Sequence, residues 1–289
     1  MNYLLHILVL VNIYAVLSLS LNLLVGYAGL LSLCHAAFYG IGAYTGALLM
    51  VDAGLGFWSA LPLAVVMTVL LSFSISVPAL RLKGDYFVLA SLGFQGIVFS
   101  VLRNWTSLTR GPYGVSGIPQ PTFFGIEISS PLAYVFFTGA IALVCVGLLH
   151  LIGHSPFGRA LKTIREDELA ASALGKNVFR LKVKAFAISA GFAAVPGVLL
   201  AGYLSYIDPT SFTLLESIFI LSIIIIGGTG NTSGPLLGAV LLIFLPEALR
   251  FLGVPNAIAA NLRQITYGLI LIIVLRFRPQ GLSGEYRFT

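Results

Sequence analysis

The first 80 residues of the chain carry one charged side chain, Asp52. The hydrocarbon core of a bilayer is about 30 Å thick, and an α-helix of about 20 apolar residues crosses it. Uncharged stretches of that length recur along the chain, and 58% of its residues are hydrophobic, against roughly 45–50% apolar residues in soluble domains. The sequence therefore predicts an all-α polytopic membrane protein and excludes an ordinary soluble domain.

Apolar stretches separated by Gly, Pro or charged residues divide the chain into nine predicted spans. The segment 26–34 is predicted to be a break or a short re-entrant piece, so about eight to ten crossings are expected. We expect one transmembrane domain, residues 1–289, made of two weakly similar halves, 1–150 and 151–289. The predicted spans are 3–24, 34–51, 57–80, 86–103, 131–152, 183–206, 214–227, 234–252 and 262–277.

Basic residues are distributed unevenly over the predicted loops. Counting spans places the turn 81–85 and the C-terminal tail on the same side as the segment 155–184, and together these segments hold twelve of the 16 Lys and Arg residues. Short cytoplasmic loops carry an excess of Lys and Arg. The charged segment and the C-terminus are therefore predicted to be cytoplasmic. The long loop 104–130, rich in Gly, Pro and aromatic residues, is predicted to be external.

The charged segment 155–184 contains the signals of two short helices. Pro156 marks the start of the first helix, because Pro suits the first helical turn. Asp167 is suited to N-cap a second helix, Glu168–Leu174. Gly175 follows where a left-handed residue commonly ends a helix. The sequence thus predicts a short capped helix in the middle of a cytoplasmic loop.

A helix of this length is not stable alone in water, where even about 12–15 residues are marginal. Its outer surface is predicted to be small and smooth, formed by Ala170, Ala171 and Ala173. A loop that only tethers two spans needs no cap, no smooth face and no stop signal. We therefore expect this helix to dock, either on the protein's own helix ends or on a separate subunit.

The stretch REDELAASALG, residues 165–175, resembles the cytoplasmic loop of permease subunits of bacterial ABC importers, whose signature is EAA, three residues, then Gly. Ala170, Ala171 and Gly175 take the matching places, whereas Leu169 stands where that signature has Glu and its downstream Ile-x-Leu-Pro part is missing. These departures are typical of the branched-chain amino-acid permease family of the LivM type. Further stretches resemble that family in order along nearly the whole chain: 20–49, 82–94, 104–119, 211–218, 227–239 and 275–282.

This resemblance implies one subunit of a permease in an ATP-driven importer of branched-chain amino acids, in the cytoplasmic (inner) membrane of a bacterium or archaeon. It implies a second, LivH-like permease subunit, two cytoplasmic ATPases and an external or periplasmic substrate-binding protein as partners, with lipid around the spans. The chain is then no enzyme and needs no cofactor, because ATP and Mg²⁺ would bind in the ATPases. No nucleic acid is expected, because the basic residues serve topology. The residues expected to couple the chain to the ATPases are Arg165, Glu166, Asp167, Glu168, Ala170, Ala171 and Gly175.

Glycines interrupt two of the apolar regions, 26–46 and 227–238. Interrupted spans in two halves of a transporter point to its central path, and exposed backbone inside a membrane is tolerated only beside protein or a water-filled cavity. Glycines at four-residue spacing also let helices approach closely without any ligand. Both interpretations stay open for the glycines at this spacing: Gly42, Gly46, Gly230, Gly234 and Gly238.

Polar residues inside the predicted spans are candidates for the translocation path, because an intramembrane polar or ionisable group is usually functional. Hydrogen bonding between helices is the alternative for each of them. For Glu216 the alternatives are capping of its helix or pairing with Arg250 or Arg263. A metal site is not expected, because His35 has no second ligand at suitable spacing. The path candidates are Asn22, His35, Tyr44, Gln95, Glu216, Asn231 and Thr232.

Other functions are weighed against the importer. The same architecture could carry urea, a short amide, another amino acid or a sugar. A secondary transporter or channel working alone is disfavoured, because ion-coupled carriers place charges mid-membrane and here Glu216 alone comes close. A membrane enzyme is disfavoured because the spans hold no acid–base or metal pair. The sequence also lacks a Walker A motif, so an ATPase would have to be a separate subunit.

Overall fold

The computed structural model describes residues 2–82, 84–123 and 126–251. Beyond residue 251 it describes 265, 266, 268, 269, 272–274, 276, 278 and 280–283. Half of the predicted span 262–277 therefore lies outside the described residues, and the other eight predicted spans lie within them except for residue 252.

Eight apolar helices build the described part of the bundle. Five of them are long enough to cross a membrane: α1 (Asn2–Asn22, continued by a π-helical turn, Leu23–Tyr27), α3 (Phe57–Ala79), α4 (Asp85–Asn104), α6 (Pro131–His154) and α9 (Val178–Leu204). Three shorter ones are α2 (His35–Val51), α10 (Leu214–Gly227) and α11 (Ser233–Phe251). The prediction of an all-α polytopic membrane protein is confirmed.

Short elements lie between these helices. They are α5 (Thr106–Thr109), α7 (Pro156–Glu166), α8 (Glu168–Ala173), two 3₁₀ turns (Gly111–Tyr113 and Pro209–Phe212) and the strands β1 (Val115–Ser116), β2 (Thr122–Phe123), β3 (Ile126–Glu127) and β4 (Tyr206–Ile207). Strand β1 pairs antiparallel with β4, and β2 pairs antiparallel with β3.

Helix α9 lies at the centre of the bundle and packs against α1, α2 and α3, while α6, α10 and α11 pack against α1. Small residues line the inner side of α9, among them Ala190, Ala193 and Ala194, which are fully buried. Helices α3 and α6 leave large apolar side chains such as Leu70 and Leu143 exposed. Such side chains suit a surface in contact with lipid tails.

The bundle has two polar ends, which we call the basic face and the opposite face. The basic face carries α7, α8 and the first turn of α9. The opposite face carries α5 and the small β1–β4 sheet, which ties the loop 104–130 to the connection between α9 and α10. An ion pair between Arg110 and Asp52, 2.7 Å between nitrogen and oxygen, closes the opposite face near the end of α2.

The predicted break at 26–34 is present. The π-helical turn ends at Tyr27, the chain runs without helix from 29 to 34, and α2 begins at His35. Gly29 has a φ of +67°, a left-handed conformation that side chains other than Gly adopt rarely. Another boundary differs from the prediction: α9 begins at Val178 rather than 183, because Asn177 caps it by accepting a hydrogen bond from the Arg180 amide (3.0 Å).

Candidate functional site: the coupling segment and the helix breaks

Helix α7 is amphipathic and lies with its apolar side against the bundle. Ser155 caps it by accepting a hydrogen bond from the Gly158 amide at 3.3 Å. Leu161 and Ile164, one turn apart, are buried against the bundle. The Lys162 ammonium lies 5.0 Å from the ring centre of Tyr27, in the π-helical turn. The first helix of the charged segment is thus attached to the end of α1.

Helix α8 is short and capped at both ends, as predicted. The Asp167 carboxylate accepts hydrogen bonds from the amides of Leu169 (2.8 Å) and Ala170 (2.9 Å). At the other end the Gly175 amide donates to Ser172 O (2.9 Å) and the Lys176 amide to Ala171 O (3.2 Å), the bond pair of a Schellman motif. Gly175 supplies the positive φ, +76°. Two caps hold six residues helical where propensity alone would not.

The predicted outer surface of α8 is wrong for Ala171. Its side chain is fully buried, so it faces the bundle and lets α8 lie close to it. Ala170 is exposed, and so are two large apolar side chains outside the predicted alanine surface, Leu169 (81% exposed) and Leu174 (74% exposed). Counting outward from the Asp167 cap would have shown that Leu169 and Ala171 lie on different sides. The outer surface of α8 is a pair of leucines flanking alanines.

Charged neighbours fix α8 to the next helix. Glu168 Oε2 lies 2.6 Å from Lys182 Nζ on α9, and the Glu168 side chain is about half exposed. Glu166 is also largely exposed. The predicted coupling residues therefore divide into an inward group, Arg165 and Ala171, and an exposed group formed by Glu166, Asp167, Glu168, Ala170 and Gly175.

Arg165 points away from solvent into the bundle. Its side chain is 9% exposed, and its Nη1 donates a hydrogen bond to the carbonyl oxygen of Gly26 in the π-helical turn. Glu166 Oε1 accepts from Arg165 Nε (3.0 Å) and Nη2 (2.5 Å). We call residues 155–177, which hold α7, α8 and their caps, the coupling segment after its predicted role; through Arg165 this segment reaches the first helix break directly.

The two predicted helix breaks touch each other through Asn22. Its Oδ1 accepts a hydrogen bond from the Gly230 amide (3.1 Å), and its Nδ2 donates to Asn231 O (2.7 Å). Asn22 is 1% exposed. We call residues 22–29 and 228–231 together the break junction.

The C-terminal segment also joins the break junction. Asn231 Oδ1 accepts from the Gly234 amide (2.9 Å), and its Nδ2 donates to Ser283 O. The amides of Leu282 and Ser283 donate to Ile226 O (3.0 Å) and Gly227 O (2.9 Å). Residues 282–283 therefore lie on the same side of the bundle as the end of α10.

Thr232 lies beside the junction, and its hydroxyl is 2.9 Å from His150 Nδ1 on α6. A cavity of about 10 Å³ separates it from Asn22, Tyr27 and Leu149. That volume is about the size of one water molecule. The structure thus brings together three of the predicted path residues: Asn22, Asn231 and Thr232.

Two further path candidates, His35 and Gln95, are buried and join helices. His35 Nε2 lies 2.7 Å from Ser20 Oγ. Gln95 Nε2 donates to Phe212 O (2.8 Å), and Gln95 Oε1 accepts from Ser217 Oγ (3.2 Å). His35 joins the consecutive helices α1 and α2, whereas Gln95 links elements more than 100 residues apart. In this conformation both side chains act as connections within the bundle.

Glu216 lies in the first turn of α10, and its carboxylate accepts a hydrogen bond from Tyr14 Oη at 2.5 Å. The side chain of Arg250 and residue Arg263, the partners considered for it, lie outside the described residues. The hydroxyl of Tyr44 is buried and has no hydrogen-bond partner within the described part of the chain. His35, Gln95, Glu216 and Tyr44 do not join the break junction, and their role in a path stays a prediction.

The glycines of α2 allow close contact with α9. A Cβ at Gly42 would collide with the backbone of Ala194, and one at Gly46 would lie 2.8 Å from Val198 Cγ2. The run of three glycines in the second region does not lie on one helix. Gly234 and Gly238 lie on α11, where Gly238 faces α10 and Gly234 packs against Gly228 in the break. Gly230, with φ +91°, precedes α11 and belongs to the break.

A groove of about 780 Å³ runs along the exposed side of α4 and is lined by Gly93, Gly96, Ile97, Ser100, Val101, Asn104 and Trp105. None of the predicted path residues lines it. In the described part of the chain, no group of three or more His, Cys, Asp and Glu residues could hold a metal ion.

The family model described as the branched-chain amino acid transport system / permease component matches residues 3–275. The chain belongs to this family. Both interrupted regions and the coupling segment lie inside the matched range. The break junction and α7–α8 are therefore features of a permease component.

Several members of the family are similar to this chain over most of its length. The high-affinity branched-chain amino acid transport system permease proteins LivM of Salmonella typhimurium and Escherichia coli are each 39% identical to it, over 93% of this chain and 67% of theirs. A probable LivM of Methanocaldococcus jannaschii is 26% identical, over 95% and 91%. The permease protein LivH of Escherichia coli is 25% identical, over 94% and 91%. No solved structure matches the chain.

Proposed function

We propose that the chain is one transmembrane subunit of an ATP-driven importer and translocates branched-chain amino acids delivered by an external binding protein. Membership of the permease family supports the transport role, and the names of the LivM relatives support the cargo. The chain would act in the cytoplasmic membrane of a bacterium or archaeon, with the basic face and the C-terminal residues in the cytoplasm.

The observation that carries the ATPase part of this proposal is the exposed leucine pair on α8. Leu169 and Leu174 are held outward on a helix that is capped at both ends and attached to the bundle through Ala171. Two exposed leucines beside a charged loop lie in the aqueous phase, where burying each would contribute about 1.5–3 kcal/mol. We propose that a separate ATPase, which binds ATP and Mg²⁺, covers them.

The remaining partners follow from the family and from the two faces. The similarity to LivH indicates that two chains of one architecture could pair, so a LivH-like permease is the proposed second subunit. Two ATPases would then dock on the two basic faces. The opposite face, with the loop 104–130, would receive the external binding protein.

The docking test compares two variants in which exposed leucines are replaced by glutamate. The chain is co-expressed with the ATPase and LivH-like candidates of its source organism, and the ATPase that co-purifies is measured. Leu169→Glu combined with Leu174→Glu is expected to lower it by at least about tenfold, because charges at both positions remove the apolar contact. Leu108→Glu, an exposed leucine of α5 on the opposite face, is the matched control and should leave it unchanged. Equal co-purification of both variants would contradict ATPase docking on α8.

Cargo needs its own measurement. ATP is loaded into the vesicles, and the binding protein is added outside with labelled leucine, isoleucine, valine or urea. Only importers whose ATPases face the vesicle interior are then active. Accumulation of the three amino acids, and not of urea, is expected. Accumulation of urea alone would contradict the proposal of branched-chain amino acids as cargo, while the proposal of an ATP-driven importer would stand.

A further inference from the structure

We infer that Arg165 is a positioning residue that connects the docking helix α8 to the break junction, so that movement of the coupling segment changes both helix breaks together. The inference rests on the proposed function and adds to it. The exposed leucines of α8 bind the ATPase, whereas the inward guanidinium of Arg165 on α7 transmits the movement to the break junction.

The guanidinium of Arg165 is held from two sides. Glu166 Oε1 accepts from Nε and Nη2, which leaves Nη1 to donate to Gly26 O. A planar guanidinium fixed in this way has little freedom to turn. A hydrogen bond from a charged donor is also stronger than a neutral one. The side chain therefore acts as a rigid connection rather than as a solvated charge.

The carbonyl of Gly26 is available because the helix ends there. The last carbonyls of a helix have no partner within it. Of the amides that follow the π-helical turn, those of Ala28 and Leu30 both donate to Leu24 O (3.2 and 2.9 Å). Arg165 supplies Gly26 O with a donor, which no backbone amide beyond the turn does within the described residues. Its bond therefore holds the turn in its present shape.

Gly29 lets the two segments come this close. Its φ is +67°, and a Cβ there would lie 2.9 Å from Cγ of Arg165. A side chain at this position would push the guanidinium away from the turn. The glycine thus fits the Arg165 contact in both backbone conformation and space.

The connection continues from the first break to the second. Four residues before Gly26, Asn22 holds Gly230 and Asn231 through both ends of its amide. Asn231 in turn caps α11 and donates to Ser283 O. A displacement of α7 would therefore reach α1, the connection between α10 and α11, and the C-terminal segment through side-chain hydrogen bonds and one turn of helix. Such a contiguous set of contacts can carry coupling if its ends have two arrangements.

Another arginine of α7 provides a matched comparison. Arg159 Nη1 donates to His154 O (3.0 Å), a carbonyl five residues earlier at the end of α6. Arg159 therefore has the same charge, the same helix and a carbonyl partner, but its hydrogen bond is local. A substitution of Arg159 tests for the effect of losing a charge on α7.

The test uses the whole complex, reconstituted in vesicles with ATPases, LivH-like subunit and binding protein, and compares Arg165→Ala, Arg165→Lys and Arg159→Ala. In Arg165→Ala we expect the amount of co-purified ATPase to stay within about twofold of wild type. Leucine uptake per ATP hydrolysed should fall at least about tenfold, the factor that corresponds to the loss of one charge-assisted hydrogen bond. Arg165→Lys, which keeps a charged donor, should recover part of it. Arg159→Ala should match wild type. Unchanged uptake per ATP, or loss of the ATPase from the Arg165→Ala complex, overturns the inference.

If Arg165→Ala does not accumulate in the membrane, Gly29→Ala replaces it, since it leaves every residue of the coupling segment in place. The same loss of uptake per ATP is expected, and unchanged uptake per ATP overturns the inference. Failure of the proposed function gives a different result from failure of this inference. It would appear as ATPase binding that the Leu169 and Leu174 substitutions leave intact.

Discussion

Helices α7 and α8 follow each other in one loop, separated by Asp167, yet their large apolar side chains point in opposite directions. Helix α7 turns Leu161, Ile164 and Arg165 toward the bundle. Helix α8 turns Leu169 and Leu174 outward and buries one small residue, Ala171. One helix of the loop is thus attached to the bundle, and the next presents apolar side chains to solvent. Helix α7 is basic and α8 carries a single acidic residue, but the direction of the apolar side chains is what separates attachment from exposure.

The difference has a physical origin in length and in caps. Helix α7 spans eleven residues, about three turns, so an apolar stripe along one side can bury enough surface to hold it. Helix α8 has six residues and has room for one buried contact. Its helical shape depends instead on Asp167 and on the Schellman motif at Gly175. The comparison predicts that substitutions of buried apolar residues lower the stability of α7 and that substitutions of capping residues lower the stability of α8.

The largest expected effect comes from replacing a buried leucine of α7 with alanine, compared with the same replacement of an exposed leucine of α8. Leu161→Ala should lower the free energy of unfolding by about 2–5 kcal/mol, because it leaves a cavity at a fully buried position. Leu169→Ala should change it by less than about 0.5 kcal/mol, because that side chain is already exposed. Unfolding of the purified chain by SDS in mixed micelles measures both. Equal losses would mean that α7 and α8 are attached in the same way.

A smaller effect is expected from the cap of α8. Asp167→Ala removes the acceptor of two backbone amides and should destabilise the helix by about 1 kcal/mol. The amides of Leu169 and Ala170 should then exchange with deuterium about fivefold faster, the factor that corresponds to this energy. Asp167→Asn retains a side-chain acceptor and should stay near wild type. Unaltered exchange in Asp167→Ala would show that packing of Ala171, not the cap, holds α8.

The smallest effect is expected from the ion pair between α8 and α9. Glu168→Gln removes the partner of Lys182 at a site where the carboxylate is about half exposed. Exposed pairs contribute about 0.2–1 kcal/mol, and salt screens them. The change in unfolding free energy should therefore shrink between 0.05 and 0.5 M NaCl, roughly as the Debye length falls. A loss that salt does not reduce would point to a packing role of the side chain.

Local features of the coupling segment could be predicted from sequence. The Asp167 cap, the Gly175 stop and the short helix between them depend on residues within about one turn of each other. The break near Gly26 and Gly29 could be predicted for the same reason. Which side of α8 faces outward could not be predicted, because it depends on where Ala171 meets the bundle.

The candidate path residues show the limit of polarity as a signal. Asn22, Gln95 and Glu216 were selected because they are polar within apolar spans, and each is found in a hydrogen bond to a distant element. Polarity in a membrane predicts that a side chain has a partner, and it does not reveal whether that partner is protein or cargo. Their part in a translocation path remains a prediction. The contact of Asn22 with Gly230 joined two breaks that the sequence could only place separately.

The sequence by itself determined the membrane class, eight of the helical spans, the side on which the charges lie together and the two caps of α8. All of these follow from hydropathy and from hydrogen bonds between near neighbours. Only the tertiary structure decided that Arg165 faces Gly26, that Asn22 joins the two breaks and that Ala171 is buried. These contacts link residues far apart in the chain, and their partners are backbone groups that every residue carries. Residue types therefore hold no signal for them, and only the packed fold brings them together.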